Sequence, residues 1–110
     1  PTLGIMWDAG NAQWAGVEAY PDGYNEVRGK VYHVHVKDIA FTDGKPHGVV
    51  FGTGLVNFRE LFRALKADGY EGALSLEPHF KPGEPGPMES VKACVDNLRR
   101  LLEELKIEFV

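Results

Sequence analysis

A strand, a loop and a helix follow one another three times along this chain, and each strand runs out into a side chain able to bind a metal. The first apolar segment is Leu3 to Trp7, which ends at Asp8 and a turn-like Ala9-Gly10-Asn11. The second, Val31 to Val36, is rich in the β-branched and aromatic residues that favour a pleated strand. The third, Ala73 to Leu76, runs into Glu77-Pro78, where proline ends the strand. Strands that alternate with helices pair in parallel through right-handed crossovers, so the expected class is α/β with three parallel strand-helix units.

Two of the helices are well marked. After Asn57, a good N-cap with Glu60 three residues on, Phe58, Leu61, Phe62 and Leu65 share one face until Gly69 stops the helix. From Pro87 onward, Val91, Cys94, Val95, Leu98, Leu101, Leu102 and Leu105 repeat at the same spacing. Between residues 11 and 30 the pattern is broken by Pro21-Asp22-Gly23, which leaves a short helix around Tyr24 to Arg28. Asp38 to Thr53 and Pro78 to Gly86 are rich in glycine and proline and are expected to be loops.

Strand alternation locates the chemistry. Val31, His33, His35 and Lys37 share one face of the second strand, opposite Tyr32, Val34 and Val36. Gly4, Met6 and Asp8 share a face of the first strand, and Ala73, Ser75 and Glu77 share one of the third. Each strand therefore has one apolar face for covering helices and one small or polar face that culminates in Asp8, His35 or Glu77. Such a pattern suits a barrel interior with a site at the strand ends.

Neighbouring parallel strands lie about 4.8 Å apart, so these three side chains can converge on one cation. Two carboxylates and an imidazole suit a divalent ion such as Mn, Zn, Co, Fe or Mg. Singly, Asp8 reads as a helix or turn cap, His35 as a hydrogen-bonded scaffold residue and Glu77 as an ion-pair partner. Their common register favours the metal site. Lys37 reads first as a solvated strand-end lysine and second as a counter-charge for a phosphate or oxyanion. His33, one pleat deeper than His35, reads equally as a hydrogen-bonded interior residue and as a substrate contact; Asn11, whose amide can bind a hydroxyl but cannot shuttle a proton, is a candidate substrate contact, and Trp14 a candidate pocket wall. His47 and His79 read as exposed loop histidines near the strand ends, Cys94 as packing. Gly52-Thr53-Gly54 is a tight turn before the Asn57 helix and only a weak phosphate-binding motif.

Composition narrows the setting. With 110 residues, 44% hydrophobic and 25% charged, the chain is expected to be one globular domain, residues 1–110. A lone cysteine cannot form an internal disulfide, and no signal-peptide pattern opens the chain, so a cytoplasmic protein is expected. No apolar run approaches the roughly 20 residues of a membrane helix. The formal charge of −4 disfavours a nucleic-acid partner.

Taken in order, Trp7-Asp8-Ala9-Gly10-Asn11, His33-Val34-His35-Val36-Lys37-Asp38, Phe51-Gly52-Thr53-Gly54 and Gly69-Tyr70-Glu71-Gly72-Ala73-Leu74-Ser75-Leu76-Glu77 resemble the final three units of the xylose-isomerase-like sugar phosphate isomerase/epimerase family. The resemblance implies a partial TIM barrel whose three strands are strands 6 to 8. It also implies a metal held by Asp8, His35 and Glu77, with a fourth ligand on the fifth strand, before this chain begins. Proton transfer next to a carbonyl is the implied chemistry, with Glu77 as acid/base and a sugar or sugar phosphate as substrate. A complete barrel takes about 250 residues, so 110 residues suit three to four units. Pairing with an upstream barrel segment, or self-association through open sheet edges, is therefore expected. Two alternatives share the scaffold: a lyase or dehydratase, which begins with the same proton abstraction, and a non-catalytic sugar-binding or assembly module.

Overall fold

A computed structural model describes residues 3–79 and 87–109. The three expected strands form one parallel sheet, ordered β1 (Ile5–Asp8), β2 (Val31–Val36) and then a strand late in the chain, Ala73–Leu76. Between β2 and that last strand lies an antiparallel hairpin, β3 (Asp38–Thr42) and β4 (Lys45–Val49), so the last strand is β5. The register pairs Asp8 with His35 and His35 with Ser75. Glu77 extends the β2–β5 pairing by one step, its N–H donating to the Val36 carbonyl at 2.9 Å. Side chains that were 27 and 42 residues apart thus reach one end of one sheet.

Among the described residues four helices accompany the strands: α1 (Ala9–Trp14), α2 (Tyr24–Val27), α3 (Phe58–Ala67) and α4 (Pro87–Glu104). A π-type turn, Ala19–Gly23, with Tyr20 extended inside it, precedes α2 and contains the expected break. Asn57 caps α3, its Oδ1 accepting from the Glu60 N–H at 3.2 Å. The Glu60 carboxylate does not close the reciprocal half of a capping box but pairs with Arg63. Gly69 ends the helix at φ +74°, a conformation that glycine adopts freely.

The apolar face of the sheet and the covering helices make one core. Val34 and Val36 of β2 are fully buried, as are Leu61 and Phe62 of α3 and Cys94 of α4. Phe51, Phe58 and Phe62 pack ring to ring, with centroids 4.8 Å (Phe51–Phe58) and 5.6 Å (Phe58–Phe62) apart. Cys94 behaves as packing with one polar duty: its Sγ accepts the Phe51 N–H at 3.3 Å. Trp7 packs against this core from the outward face of β1, as alternation requires.

Three local expectations are corrected. The first strand runs from Ile5 to Asp8 rather than from Leu3, because the β1–β2 register shifts between Ile5 and Met6 and the Tyr32 ring crowds Gly4. Ala9-Gly10-Asn11 is the first turn of α1 rather than a simple turn, because the Asp8 side chain caps it, accepting from the Asn11 N–H at 2.8 Å. The expected loop 38–53 contains the β3–β4 hairpin. Its Asp43-Gly44 turn, with φ of 51° and 73°, is the tight two-residue connection that Asp-Gly favours. Pro78 and His79 are irregular, as expected, while the rest of the expected loop, 80–86, lies outside the described residues.

Candidate metal centre

Asp8, His35 and Glu77 come together at the C-terminal ends of β1, β2 and β5, each offering a ligand atom within 4.8 Å of the other two. His35 Nδ1 lies 2.9 Å from Glu77 Oε2 and 3.8 Å from Asp8 Oδ2. The two oxygens of Asp8 have separate fates. Oδ1 caps α1, while Oδ2 is buried and has no hydrogen-bond partner among the described residues. A buried oxygen that accepts no hydrogen bond is costly, and a positive charge in the space between Asp8, His35 and Glu77 would complement it on the side away from the Lys37 ammonium. Carboxylate–imidazole–carboxylate donors fit a divalent cation, and Asp8, His35 and Glu77 are the residues that would hold it.

Lys37 departs from its solvated reading. It is only 5% exposed, and its Nζ lies 3.4 Å from Asp8 Oδ2, an ion-pair distance without hydrogen-bond geometry. The reason is α1: its Gly10 approaches the Lys37 backbone so closely that a β-carbon there would collide with the Lys37 carbonyl. Lys37 nonetheless reaches a cavity of about 350 Å³ that it lines with Asn11, Trp14 and His79. Trp14 is 43% exposed at this opening, in keeping with a pocket wall.

The remaining candidates take definite places. His79 is exposed, as expected, but also donates from Nε2 to Glu77 Oε1 at 3.2 Å, and this bond holds the Glu77 carboxyl below its usual range. His33 sits one pleat deeper than His35, its Nε2 2.7 Å from Ser75 Oγ, with the two imidazoles edge to face at 5.3 Å. His47 belongs to β4 rather than to a loop and pairs with Thr42 Oγ1 at 2.8 Å, within the hairpin.

Sequence reasoning missed the role of Asp38. This residue is 3% exposed, and its carboxylate accepts four backbone N–H groups: Ile39 (3.0 Å) and Val56 (3.3 Å) on Oδ1, Gly52 (2.9 Å) and Gly54 (3.0 Å) on Oδ2. Burial pushes its carboxyl above the usual range, against the pull of those donors. The available signal was an aspartate two residues past the end of β2 followed, at loop distance, by Gly52-Thr53-Gly54.

Comparisons with known proteins agree with this architecture. The sequence model of a family described as xylose isomerase-like TIM barrel matches residues 1–101. Inosose dehydratase of Geobacillus thermodenitrificans is 28% identical over 102 residues, which cover 79% of this chain and 34% of that protein. L-ribulose-5-phosphate 3-epimerase UlaE of Shigella flexneri is 39% identical over 66 residues, 60% of this chain and 22% of that protein. Among solved structures, a xylose isomerase domain protein from Planctomyces limnophilus superposes with a TM-score of 0.80 at 26% identity, over 96% of this chain and 40% of that one. A D-tagatose 3-epimerase-like protein gives 0.68 at 26% identity, over 94% of this chain and 36% of that one. The chain spans about a third of the length of the inosose dehydratases it matches.

Proposed function

Because the chain belongs to the xylose isomerase-like TIM barrel family, we propose that it forms the metal-binding part of a sugar isomerase or epimerase barrel, with Asp8, His35 and Glu77 as ligands. The observation that carries this reading is the buried Asp8 Oδ2, which accepts no hydrogen bond among the described residues and is turned toward His35 beside Glu77. A divalent cation bound there supplies a Lewis acid that polarises a carbonyl and stabilises the negative charge left when the adjacent carbon loses a proton.

The chain's own residues divide the remaining work. Glu77 takes or returns the proton at that carbon. A base has to be unprotonated before it acts, and the His79 hydrogen bond favours that form. Lys37 offsets the charge of Asp8 and fixes its orientation. Asn11 and Lys37 are the proposed contacts to substrate hydroxyls at the cavity, with His33 contributing from deeper in the sheet, where it also backs the His35 ring. Activity is proposed for the assembled barrel, in which other strands pair with the open edges of β1 and β5, working on a small sugar in the cytoplasm.

A dehydratase is the second reading, supported by inosose dehydratases that match 79–91% of this chain. Both reactions begin with removal of a proton next to a carbonyl. Incubating the complete enzyme with polyhydroxy ketones in D₂O and weighing the products tests both. Solvent deuterium in an otherwise unchanged sugar supports the epimerase or isomerase, and loss of water supports the dehydratase. Substrate recovered with no deuterium and no new product would overturn the reading.

A further inference from the structure

Glu77 has two carboxylate oxygens, and the residues that follow it decide which of them faces His35. Three restraints fix the short run from Glu77 to His79. The Glu77 N–H is bound to the Val36 carbonyl at 2.9 Å. Pro78 comes next, with a ring-locked φ that also restricts the residue before it. The His79 backbone then lies against the β3–β4 hairpin, where the buried Gly48 approaches so closely that a β-carbon there would collide with the His79 carbonyl oxygen. From a backbone held in this way the His79 ring returns to Glu77. Its Nε2 donates to Oε1 at 3.2 Å, and Oε2 is left 2.9 Å from His35 Nδ1.

We infer that His79 is a positioning residue, seated by Gly48 of the hairpin, that engages Glu77 Oε1 and so turns Oε2 toward His35. This role rests on the proposed metal reading, for which it supplies the geometry of one ligand. The seat matters because the Glu77 and His79 side chains are 41% and 51% exposed. An exposed imidazole–carboxylate contact is worth little when two mobile side chains must be ordered to make it. A His79 backbone set in place by the hairpin removes part of that cost beforehand. The same ring lines the cavity beside Asn11, Trp14 and Lys37, so it holds Glu77 at the edge of the space a substrate would enter.

The test begins with chelator-treated protein, by nuclear magnetic resonance at fixed pH, with the His35 ring resonances identified by their loss in His35→Asn. His79→Ala is expected to shift them. His79→Gln, whose side-chain amide can replace Nε2 as donor to Oε1, is expected to restore them. Wild-type resonances in His79→Ala, or equal shifts in both variants, would overturn the inference. Gly48→Ala is expected to repeat the His79→Ala shift, and a folded Gly48→Ala with wild-type resonances would overturn the hairpin's part. Because His79 is exposed, its two variants still decide the matter if Gly48→Ala does not fold. In a titration with Mn²⁺, binding about tenfold weaker in His79→Ala and within about threefold of the wild type in His79→Gln is expected. Equal affinity in the wild type and His79→Ala would overturn the inference. A wild type that binds no Mn²⁺ would instead overturn the metal reading, while the resonances, recorded without metal, would still decide what orients Glu77.

Discussion

Asp8 meets two demands with its two oxygens, and they can be separated by substitution. Asp8→Asn can keep a cap acceptor for the Asn11 N–H but removes the charge that faces His35 and Lys37. It is expected to fold within about 1 kcal/mol of the wild type in urea denaturation yet to bind Mn²⁺ about a hundredfold more weakly. Asp8→Ala should lose the cap as well, at a further cost of about 1 kcal/mol. Gly10→Ala probes the neighbouring contact. Its new methyl would press on the Lys37 carbonyl, a backbone atom that cannot swing away, and a loss of about 1–3 kcal/mol is expected in the same assay. Away from the site, Arg28 binds Asp68 with two hydrogen bonds of 2.7 and 2.9 Å, and the Tyr24 hydroxyl adds a third. Together they hold the Asp68 carboxyl below its usual range. As pH falls, the unfolded chain therefore takes up this proton before the folded one. The stabilisation is complete above about pH 4 and disappears as pH drops through the lower folded-state value. Asp68→Asn should accordingly flatten the acid limb of a stability–pH curve, and an unchanged limb would contradict the assignment.

At the scale of elements, α3 shows what local sequence can decide. Asn57 is its cap, its apolar face meets the core, and Gly69 ends it. Asn57→Ala is expected to cost about 1 kcal/mol, read as a lowered urea midpoint with an unchanged slope. The same reading gives β2, β5 and α4 nearly residue for residue, because each has a clean period and a marked end. It fails for the β3–β4 hairpin, where Gly44, Pro46 and Gly48 dilute the strand pattern although Asp43-Gly44 marks the turn. Gly48 in particular is fixed by distant chain: a β-carbon there would collide with the His79 carbonyl. It also misses α1, a six-residue helix whose start depends on the Asp8 cap and whose Gly10 weakens helical propensity. The convergence of Asp8, His35 and Glu77 was legible because period-two alternation and parallel pairing place strand ends together without further information. The burial of Lys37 and the four amides around Asp38 were not, since both depend on segments folding back from far along the chain.

Among the described residues β1, β2 and β5 form an open parallel sheet, with β1 and β5 as edges and Met6 58% exposed on the face that a barrel would enclose. Unpaired edges and an uncovered inner face invite partners. Light scattering of the 110-residue chain alone is expected to give a mass above that of a monomer, and a stable monodisperse monomer would count against barrel-like pairing. No helix among the described residues is long and apolar enough to cross a membrane, so the exposed apolar surface is not that of a spanning helix. Joint cation binding by Asp8, His35 and Glu77 is tested directly by calorimetric titration of chelator-treated protein with Mn²⁺. One ion per chain, with affinity about a hundredfold lower in each of Asp8→Asn, His35→Ala and Glu77→Gln, is the predicted result. No saturable binding in the wild type, or binding unchanged in the three variants, would contradict it.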